Sequence, residues 1–420
     1  MNREKSQYIK QLYIGLMVYT LLFWLSKELA RPTISLVFAD LDMSSELLGT
    51  LLSLQNVLPL ILSIPLATLG DKLGQDRILH LGSMFTVVSG IMFVLTLVSS
   101  DSAVMSVVLI TTGQILSGIA WTASWISLQA LVSECDEAAS AAGREANGVN
   151  RMILIMSIGM VLGPLISGYI YDSIGAWLIW VLNLVFCAVQ FVISARLRVI
   201  CRGKERAVAP KKQTAQKRQP VKRIYTELGA GIYIVMVLFS FIMMFTSEMR
   251  ASYFSVILRT SDVGSVQIGY IVSAGSLASC IIRFMMNLFP KFNKYRAGII
   301  FASMGCSLAA FVLLIFVNPG LVYYMPSILI GLCGGMVEPV IITYILENSA
   351  EERKGTALAG RVLANRLAMV LAPFLAGILI GILGLSGGFA VMTAGLIMCI
   401  GAASAGYINW KRKGANNENT

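Results

Sequence analysis

The stretch Ala67-Thr-Leu-Gly-Asp-Lys-Leu-Gly-Gln-Asp-Arg77 places two glycines and four charged residues between two long apolar runs. Each run has about twenty residues, enough for a helix to cross a bilayer core of about 30 Å. Glycines interrupt helices, and basic residues anchor at lipid headgroups. The stretch therefore predicts a tight turn between two membrane helices, with Asp71 and Arg77 at one membrane face.

The composition is that of a membrane protein. Apolar residues make up 56% of the 420 residues and charged residues 13%, and the mean hydropathy is +0.76. A soluble chain of this length could not bury so much apolar surface. The net charge of +11 does not indicate nucleic-acid binding, because the segment Arg196–Arg223, with eleven basic residues and one acid, supplies +10 of it.

The apolar runs predict an all-α membrane protein with twelve transmembrane helices, because backbone polar groups inside lipid must be satisfied within each helix. The predicted spans are 12–38, 45–69, 78–99, 104–133, 148–171, 175–196, 228–258, 265–289, 297–317, 321–347, 357–383 and 386–409. Lysine and arginine fill both tails and alternate turns, so the positive-inside rule places both termini in the cytoplasm.

Two halves of six helices are predicted, at residues 1–197 and 227–420, joined by a basic cytoplasmic linker at 198–226 that can touch anionic lipid. Glu28 and Glu248 lie 220 positions apart, as do Gly49 and Gly269. The run that begins at Met160 and ends at Gly168 resembles the run from Met369 to Gly377, shifted by 209 positions. These registers indicate an internal repeat and two pseudo-symmetric halves.

The turn Leu69-Gly-Asp-Lys-x-Gly-x-x-Arg77 resembles the signature between the second and third helices of the major facilitator superfamily. The sequence departs from that signature at Ala67, which replaces a glycine, and at Gln75 and Asp76, which occupy usually basic positions. The resemblance implies alternating access between two six-helix halves around a midplane site. It also implies a cytoplasmic gate, formed here by Asp71, Lys72, Gly74 and Arg77.

The fifth predicted span resembles the motif that antiporters of this superfamily carry in that helix. The matching residues are Gly159, Gly163, Pro164 and Gly168, with Ser167 at a position where the motif has glycine. The resemblance implies exchange, whereas small residues at this spacing also serve simple close packing of helices. In the fourth span Gln114 stands where drug/proton antiporters of the family have a basic residue.

Charged residues inside the spans are the candidates for substrate and proton binding, because each costs about 2.5–3.5 kcal/mol on insertion scales unless it faces water or a partner. Glu28 and Arg31 share a helix face and can pair. The resemblance places helices one, four, seven and ten around the cavity. The further candidates are Glu248, Arg250, Glu338, Asn365 and Arg366. The alternative for each glutamate is a structural ion pair.

Glu338 has no basic residue within one helical turn and precedes Pro339, where we predict a break in the helix. We therefore predict Glu338 or Glu248 as the resting proton site, with Glu28–Arg31 as a competing charge pair. Arg151, Arg283 and Arg361 are predicted to snorkel toward the cytoplasmic face.

An aromatic stripe in the fourth span is a second candidate for contact with substrate. Trp121, Trp125 and Gln129 recur every four residues and share one face of the helix. Core packing and substrate binding both explain such a stripe. Gln55, a polar residue in the middle of the second span, is a further cavity candidate.

Several classes of protein are disfavoured by the sequence. The seven cysteines are scattered without metal-ligand spacing, and we expect no cofactor and no catalytic site. The single histidine, His80, is predicted to be interfacial. No nucleotide-binding loop is present, so ATP is not the predicted energy source. The N-terminal apolar run is charged and too long for a signal peptide, so we interpret it as retained.

The sequence thus predicts a monomeric secondary transporter of the plasma or bacterial inner membrane, which exports a small molecule or drug in exchange for protons. Three alternatives remain open. Glu28-x-Ala-Arg31 resembles the first helix of lipoteichoic-acid glycolipid flippases, which implies an amphiphilic substrate and lipid as a partner. Uptake by symport or uniport reverses the direction of flux. A transporter-like sensor would signal through the linker without net flux.

Overall fold

The computed structural model describes residues 3–41, 43–98, 102–140, 147–207, 230–288, 295–316, 320–347 and 354–417. The regular structure in these ranges is helical throughout. Helix α6 continues to Ala207, into the predicted linker, and linker residues 208–226 lie outside the described ranges. The helices are α1 (Arg3–Asp40), α2 (Ser45–Leu73), α3 (Gln75–Leu95), α4 (Ala103–Ser140), α5 (Gly148–Ser173), α6 (Ala176–Ala207), α7 (Ala230–Glu248), α8 (Phe254–Arg259), α9 (Ser265–Leu288), α10 (Arg296–Phe316), α11 (Tyr324–Glu347) and α12 (Lys354–Asn417).

Eleven helical segments among the described residues are long and apolar enough to cross a membrane. One of them, Tyr233–Arg259, joins α7 and α8 through a π-helical turn at Met249–Tyr253. The last segment, Gly360–Trp410, has 51 residues, far more than one bilayer crossing needs. Gly384 interrupts it with a non-helical backbone (φ 70°, ψ 177°), between the two spans that the sequence predicts there.

Two compact units account for these helices. The first has Met1–Asp42, Leu54–Lys211 and Asp262–Ser273, and the second has Met43–Ser53, Lys212–Ser261 and Ala274–Thr420. Helices α2 and α9 therefore each contribute residues to both units.

In the second unit, glycines bring the first turns of α2 against α12. A Cβ atom on Gly377 would lie 2.5 Å from the Ser45 carbonyl oxygen and 2.8 Å from Gly49 Cα. A Cβ atom on Gly49 would lie 2.7 Å from Gly377 Cα and would also collide with the Pro373 carbonyl oxygen. Only glycine permits this approach of the two backbones, as in other membrane helix pairs built on small residues.

The first unit contains the corresponding contact between α5 and α9. A Cβ atom on Gly269 would lie 2.5 Å from the Pro164 carbonyl oxygen, and one on Gly168 would lie 3.1 Å from Gly269 Cα. A Cβ atom on Gly168 would also collide with the carbonyl oxygen of Ser265. The same residue types therefore make the same kind of contact once in each unit.

We expect Gly377→Leu to destabilise the protein more than a leucine elsewhere on α12. The new side chain would force α2 and α12 apart, and overpacking of this kind costs about 1–3 kcal/mol. Gly395→Leu is the matched control, because a Cβ atom at Gly395 meets nothing within 4 Å. The measurement is the midpoint of thermal unfolding in detergent, and equal midpoints for the two variants would contradict a tight α2–α12 contact.

An ion pair joins the start of α10 to the end of α11. Arg296 Nη2 donates to Glu347 Oε1 at 2.9 Å, and Nη1 donates to Oε2. This hydrogen bonding lowers the pKa of the Glu347 carboxyl below its usual range, although the side chain is 52% exposed.

A lowered pKa means that the pair stabilises the fold above the unfolded-state value of about 4.3 and that this contribution disappears as the pH falls through the native-state value. We therefore expect Glu347→Gln to lower the unfolding midpoint slightly at pH 7, with the difference from the wild type shrinking as the pH falls below the unfolded-state value. The effect should be small and salt-sensitive, because solvent screens an exposed pair. A difference that stays constant as the pH is lowered through the acidic range would exclude the ion pair as its cause.

Candidate functional site

The antiporter-like motif of α5 packs directly on α1. A Cβ atom on Gly159 would lie 2.8 Å from Trp24 Cβ, and one on Gly163 would lie 2.5 Å from Glu28 Cβ. One turn further, Ser167 and Thr33 share a hydrogen bond between their hydroxyls at 2.9 Å. The small residues of the motif therefore let α5 approach the charged stretch of α1, which is the packing role that the sequence left open.

Glu28 and Arg31 form the pair that their spacing predicts. Glu28 is only 5% exposed, and its Oε1 lies 3.9 Å from Arg31 Nη1. This separation is beyond hydrogen-bonding range, so the contact is electrostatic. Since Gly163 of α5 packs against the Cβ atom and backbone of Glu28, Glu28 lies at the α1–α5 interface.

The aromatic stripe of α4 divides into parts with different surroundings. Trp125 stacks on Phe23 with ring centroids 6.5 Å apart and meets Trp24 edge-on at 5.2 Å. Trp121 lines a cavity in the first unit, as Gln55 does, whereas Gln129 is exposed. Core packing thus explains Trp125, and Trp121 is the member of the stripe that faces open space.

Lys27 belongs to this region and was not among the sequence candidates. Its ammonium nitrogen lies 4.8 Å from the ring centroid of Trp24 and 4.5 Å from that of Trp121. Cation–π attraction from two indoles holds the charge in place. The spacing of Lys27 and Arg31 puts both cations on one helix face, and the sequence alone shows this. The proximity of Trp121 could not be read from the sequence, because Trp121 belongs to another helix.

The turn between α2 and α3 has the tight geometry that its glycines predict. Gly74 has φ +101°, a conformation that strongly favours glycine, and it separates Leu73 from Gln75, the first residue of α3. Asp71 accepts a hydrogen bond from Gln75 Nε2 at 3.3 Å. The predicted gate residues Asp71, Lys72 and Arg77 are exposed at this turn, whereas Asp76 is buried.

In the second unit, Glu248 and Arg250 lie where α7 passes into the π-helical turn. Glu248 is 3% exposed and Arg250 is 5% exposed. Arg250 Nη1 donates to Ser276 Oγ at 3.3 Å, and its Cδ lies over Gly275, where a side chain would collide with it. π-helical turns inside membrane helices are frequent at functional sites.

Helix α12 brings Asn365 and Arg366 to the same unit. Ser240 donates to Asn365 Oδ1 at 2.7 Å, and both residues are buried. Arg366, also buried, interacts electrostatically with Glu248. The predicted candidates of α7 and α12 are therefore brought together, although they are more than one hundred positions apart in the sequence.

Glu338 differs from the prediction. We expected no base beside it and inferred a proton site from that isolation, but Arg283 Nη2 donates to Glu338 Oε2 at 2.7 Å. The partner comes from α9, so spacing within α11 could not reveal it. Arg283 is thus paired with a carboxylate rather than only directed to the membrane face.

The predicted break at Pro339 is also wrong, because α11 runs without interruption from Tyr324 to Glu347. A proline removes one backbone donor, and this helix accommodates that loss without ending. Arg361 of α12 is 8% exposed and interacts electrostatically with Glu338. Glu338 therefore accepts a hydrogen bond from one arginine and interacts electrostatically with a second arginine of the same unit.

His80 and the cysteines carry no sign of metal chemistry in the described ranges, where no group of three or more potential ligands comes together. His80 Nδ1 shares a hydrogen bond with Ser194 Oγ at 2.9 Å, and the ring stacks on Phe191 at 4.8 Å. These contacts account for the histidine as a packing residue between α3 and α6.

Comparison with known proteins identifies the family. The family model described as Major Facilitator Superfamily matches residues 16–373. The chain belongs to the major facilitator superfamily. It is accordingly a multi-pass membrane protein of a family of transporters, which carry small-molecule substrates.

Curated relatives in this superfamily include the quinolone resistance protein NorA of Staphylococcus aureus. This chain is 23% identical to NorA of strain COL over 409 residues, which cover 95% of each chain. NorA of strain MRSA252 is 22% identical over 407 residues, again 95% of each chain. The similarity therefore runs from end to end in both proteins.

Solved structures support the fold. The crystal structure of the nucleoside transporter NupG matches with a TM-score of 0.73 at 11% identity, over 94% of this chain and 99% of that chain. A bacterial homologue of the human lysosomal transporter Spinster, in an inward-facing and unoccupied conformation, matches with a TM-score of 0.69 at 14% identity, over 96% of this chain and 97% of that chain. At these identities the likeness concerns the major facilitator fold alone.

Proposed function

We propose that this chain is a proton-coupled exporter of a small organic molecule that works by alternating access. The observation that carries the proposal is the set of carboxylates that interact electrostatically with arginines inside apolar spans: Glu28 with Arg31, Glu248 with Arg366, and Glu338 with Arg283. Charges at membrane depth are costly and mark ion or proton pathways. The end-to-end similarity to NorA favours efflux of a drug-like compound over uptake.

The architecture proposed for this activity has twelve spans in two repeated halves. Two features support it. Gly384 divides the last apolar segment into two stretches of spanning length. The two contacts Gly49–Gly377 and Gly168–Gly269 also involve equivalent residues of the repeat. Gly49 corresponds to Gly269, 220 positions later in the sequence, and Gly168 corresponds to Gly377, 209 positions later. A duplicated unit would produce such matched contacts.

The residues proposed to serve substrate and proton passage follow the same reasoning. Trp125 and Gln129 are omitted, because the first packs in the α1–α4 core and the second is exposed. Asp71, Lys72, Gly74 and Arg77 remain the proposed gate, with both termini and this turn on the cytoplasmic side of the plasma membrane. The proposed passage residues are Glu28, Arg31, Gln55, Trp121, Glu248, Arg250, Glu338, Asn365 and Arg366.

Transport by the purified full chain in proteoliposomes tests the proposal. With an acidic lumen, a fluorescent quinolone should accumulate inside while the lumen loses protons, as reported by a trapped pH dye. One pH unit should support about tenfold accumulation per proton, because it is equivalent to about 1.4 kcal/mol. Quinolone counterflow that does not depend on the pH gradient would contradict proton coupling and would indicate a uniporter.

A glycolipid flippase remains the second candidate, favoured by the Glu28–Arg31 pair at the α1–α5 interface. The same vesicles distinguish it. A flippase would move a fluorescent glycolipid between leaflets when the pH gradient is imposed and would leave the quinolone distribution unchanged. Quinolone accumulation without glycolipid movement would favour the exporter.

A further inference from the structure

The first unit contains a partly open cavity that is lined by residues of α1, α2, α3, α4 and α6. Much of the wall is uncharged and hydrogen-bonding, so the cavity can hold a polar group at membrane depth. The uncharged polar residues of the wall include Ser26, Gln55, Thr86, Ser117 and Asn183.

The charged residues in the wall are both cations. Lys27 and Arg31 line the cavity from successive turns of α1, and no aspartate or glutamate is present among the described residues that line it. Glu28 lies between them in sequence but packs against Gly163 of α5, outside the lining. The described lining of the cavity therefore carries two positive formal charges and no negative one.

The two cations are held in fixed positions. Indole rings of Trp24 and Trp121 flank the Lys27 ammonium at 4.8 and 4.5 Å, and Arg31 is tied electrostatically to Glu28 at 3.9 Å. A planar guanidinium suits the paired oxygens of a carboxylate or phosphate, and an ammonium attracts them as a point charge. Trp121 adds an apolar aromatic surface to the same wall.

We propose that this cavity binds an anionic group, a carboxylate or a phosphate, of the transported molecule, with Lys27 and Arg31 contacting its oxygens and Trp121 packing on its apolar part. The inference rests on the proposed function, in which the chain carries an organic substrate. The inference assigns an anionic substrate class to the proposed transporter, because a cavity with two cations would disfavour a purely cationic compound.

Binding of matched aromatic probes to the purified full chain tests the charge preference. The probes are 2-naphthoate and its neutral isostere 2-naphthamide, titrated against the tryptophan fluorescence of the protein in detergent. The wild type should bind the naphthoate at least about tenfold more tightly than the amide, because a hydrogen bond to a charged group contributes enough for this factor.

Two variants locate the preference. Arg31→Gln and Lys27→Gln should each reduce the preference for naphthoate over naphthamide about tenfold. Binding of naphthamide should stay nearly unchanged in both variants, which would also show that each variant is folded. Lys10→Gln is the matched control, because Lys10 lies on the same helix, is exposed and does not line the cavity. Equal binding of the two probes by the wild type, or a preference that survives both cavity variants, would overturn the proposal.

The same preparation separates this inference from proton-coupled export. A charge preference without pH-driven flux would support the anion site and exclude proton-coupled export. pH-driven flux without a charge preference would support proton-coupled export and overturn the anion site.

Binding in lipid nanodiscs then distinguishes the source of the anion. Phosphatidic acid, but not phosphatidylcholine, could compete with naphthoate for the site, and this competition could be lost in Arg31→Gln. That result would support the site with a lipid phosphate as its ligand. Naphthoate binding that neither lipid affects would support it with a free organic anion.

Discussion

Glu248→Gln is expected to abolish proton-driven transport while preserving exchange of substrate across the vesicle membrane. The amide has the shape of the protonated carboxyl but cannot release a proton, so the variant would be fixed in one protonation state. Glu248 is favoured over the other carboxylates because it is 3% exposed and lies at the π-helical turn beside Arg250, within electrostatic reach of Arg366. Glu338, in contrast, directly accepts a hydrogen bond from Arg283.

Two fluxes measured in the same proteoliposomes check this expectation. Accumulation driven by an acidic lumen should fall to the level of empty vesicles, and counterflow of labelled against unlabelled quinolone should stay near that of the wild type. Glu347→Gln is the control, because Glu347 is also a glutamate paired with an arginine but lies beyond the end of the apolar span and is half exposed. If Glu248→Gln retains pH-driven accumulation and Glu28→Gln loses it, the proton carrier is on α1 instead.

Glu338→Gln is expected to reduce stability strongly, and removal of Arg283 in the same protein should restore part of the loss. In the wild type the Glu338 carboxylate pairs with Arg283 and interacts electrostatically with Arg361, so its deletion leaves two like charges without the counter-charge that they share. Breaking a fully buried pair costs about 3–5 kcal/mol. The Arg283–Glu338 side chains are 24% and 32% exposed, so a loss of about 1–3 kcal/mol is the appropriate expectation here.

The order of unfolding midpoints tests the arrangement of the three charges. Glu338→Gln should have the lowest midpoint, the double variant with Arg283→Gln the next, and Arg283→Gln alone the next, because that single variant leaves Glu338 beside Arg361. Arg259→Gln serves as a control for loss of an arginine in the same unit, at the end of α8. A double variant less stable than Glu338→Gln would contradict a counter-charge shared by the two arginines.

Much of the fold could be predicted because the solvent is lipid. A helix that crosses a bilayer must be long, apolar and internally hydrogen-bonded, so its location is recorded in a continuous stretch of sequence. The Gly74 turn is equally local, since a backbone conformation with φ near +101° strongly favours glycine. The pair Glu28–Arg31 follows from helical spacing in the same way.

Predictions failed where a residue's partner comes from another helix. Glu338 has no base within a turn of its own helix, and from this we inferred an isolated carboxyl, but Arg283 reaches it from α9. Pro339 suggested a break, yet α11 is continuous through it. Lys27 was overlooked because its meaning depends on Trp121, which α4 brings to it.

The sequence by itself therefore determined the membrane class, the location of long apolar helices, the turn at Gly74 and which charged residues lie inside apolar helices. The tertiary structure decided which charges are paired, which tryptophan lines the cavity and which residue of α1 packs against Gly163 of α5. The physical reason is the separation in sequence between the residues that interact. Helix formation and membrane insertion depend on neighbours along the chain, whereas electrostatic and packing partners depend on how distant helices pack in three dimensions.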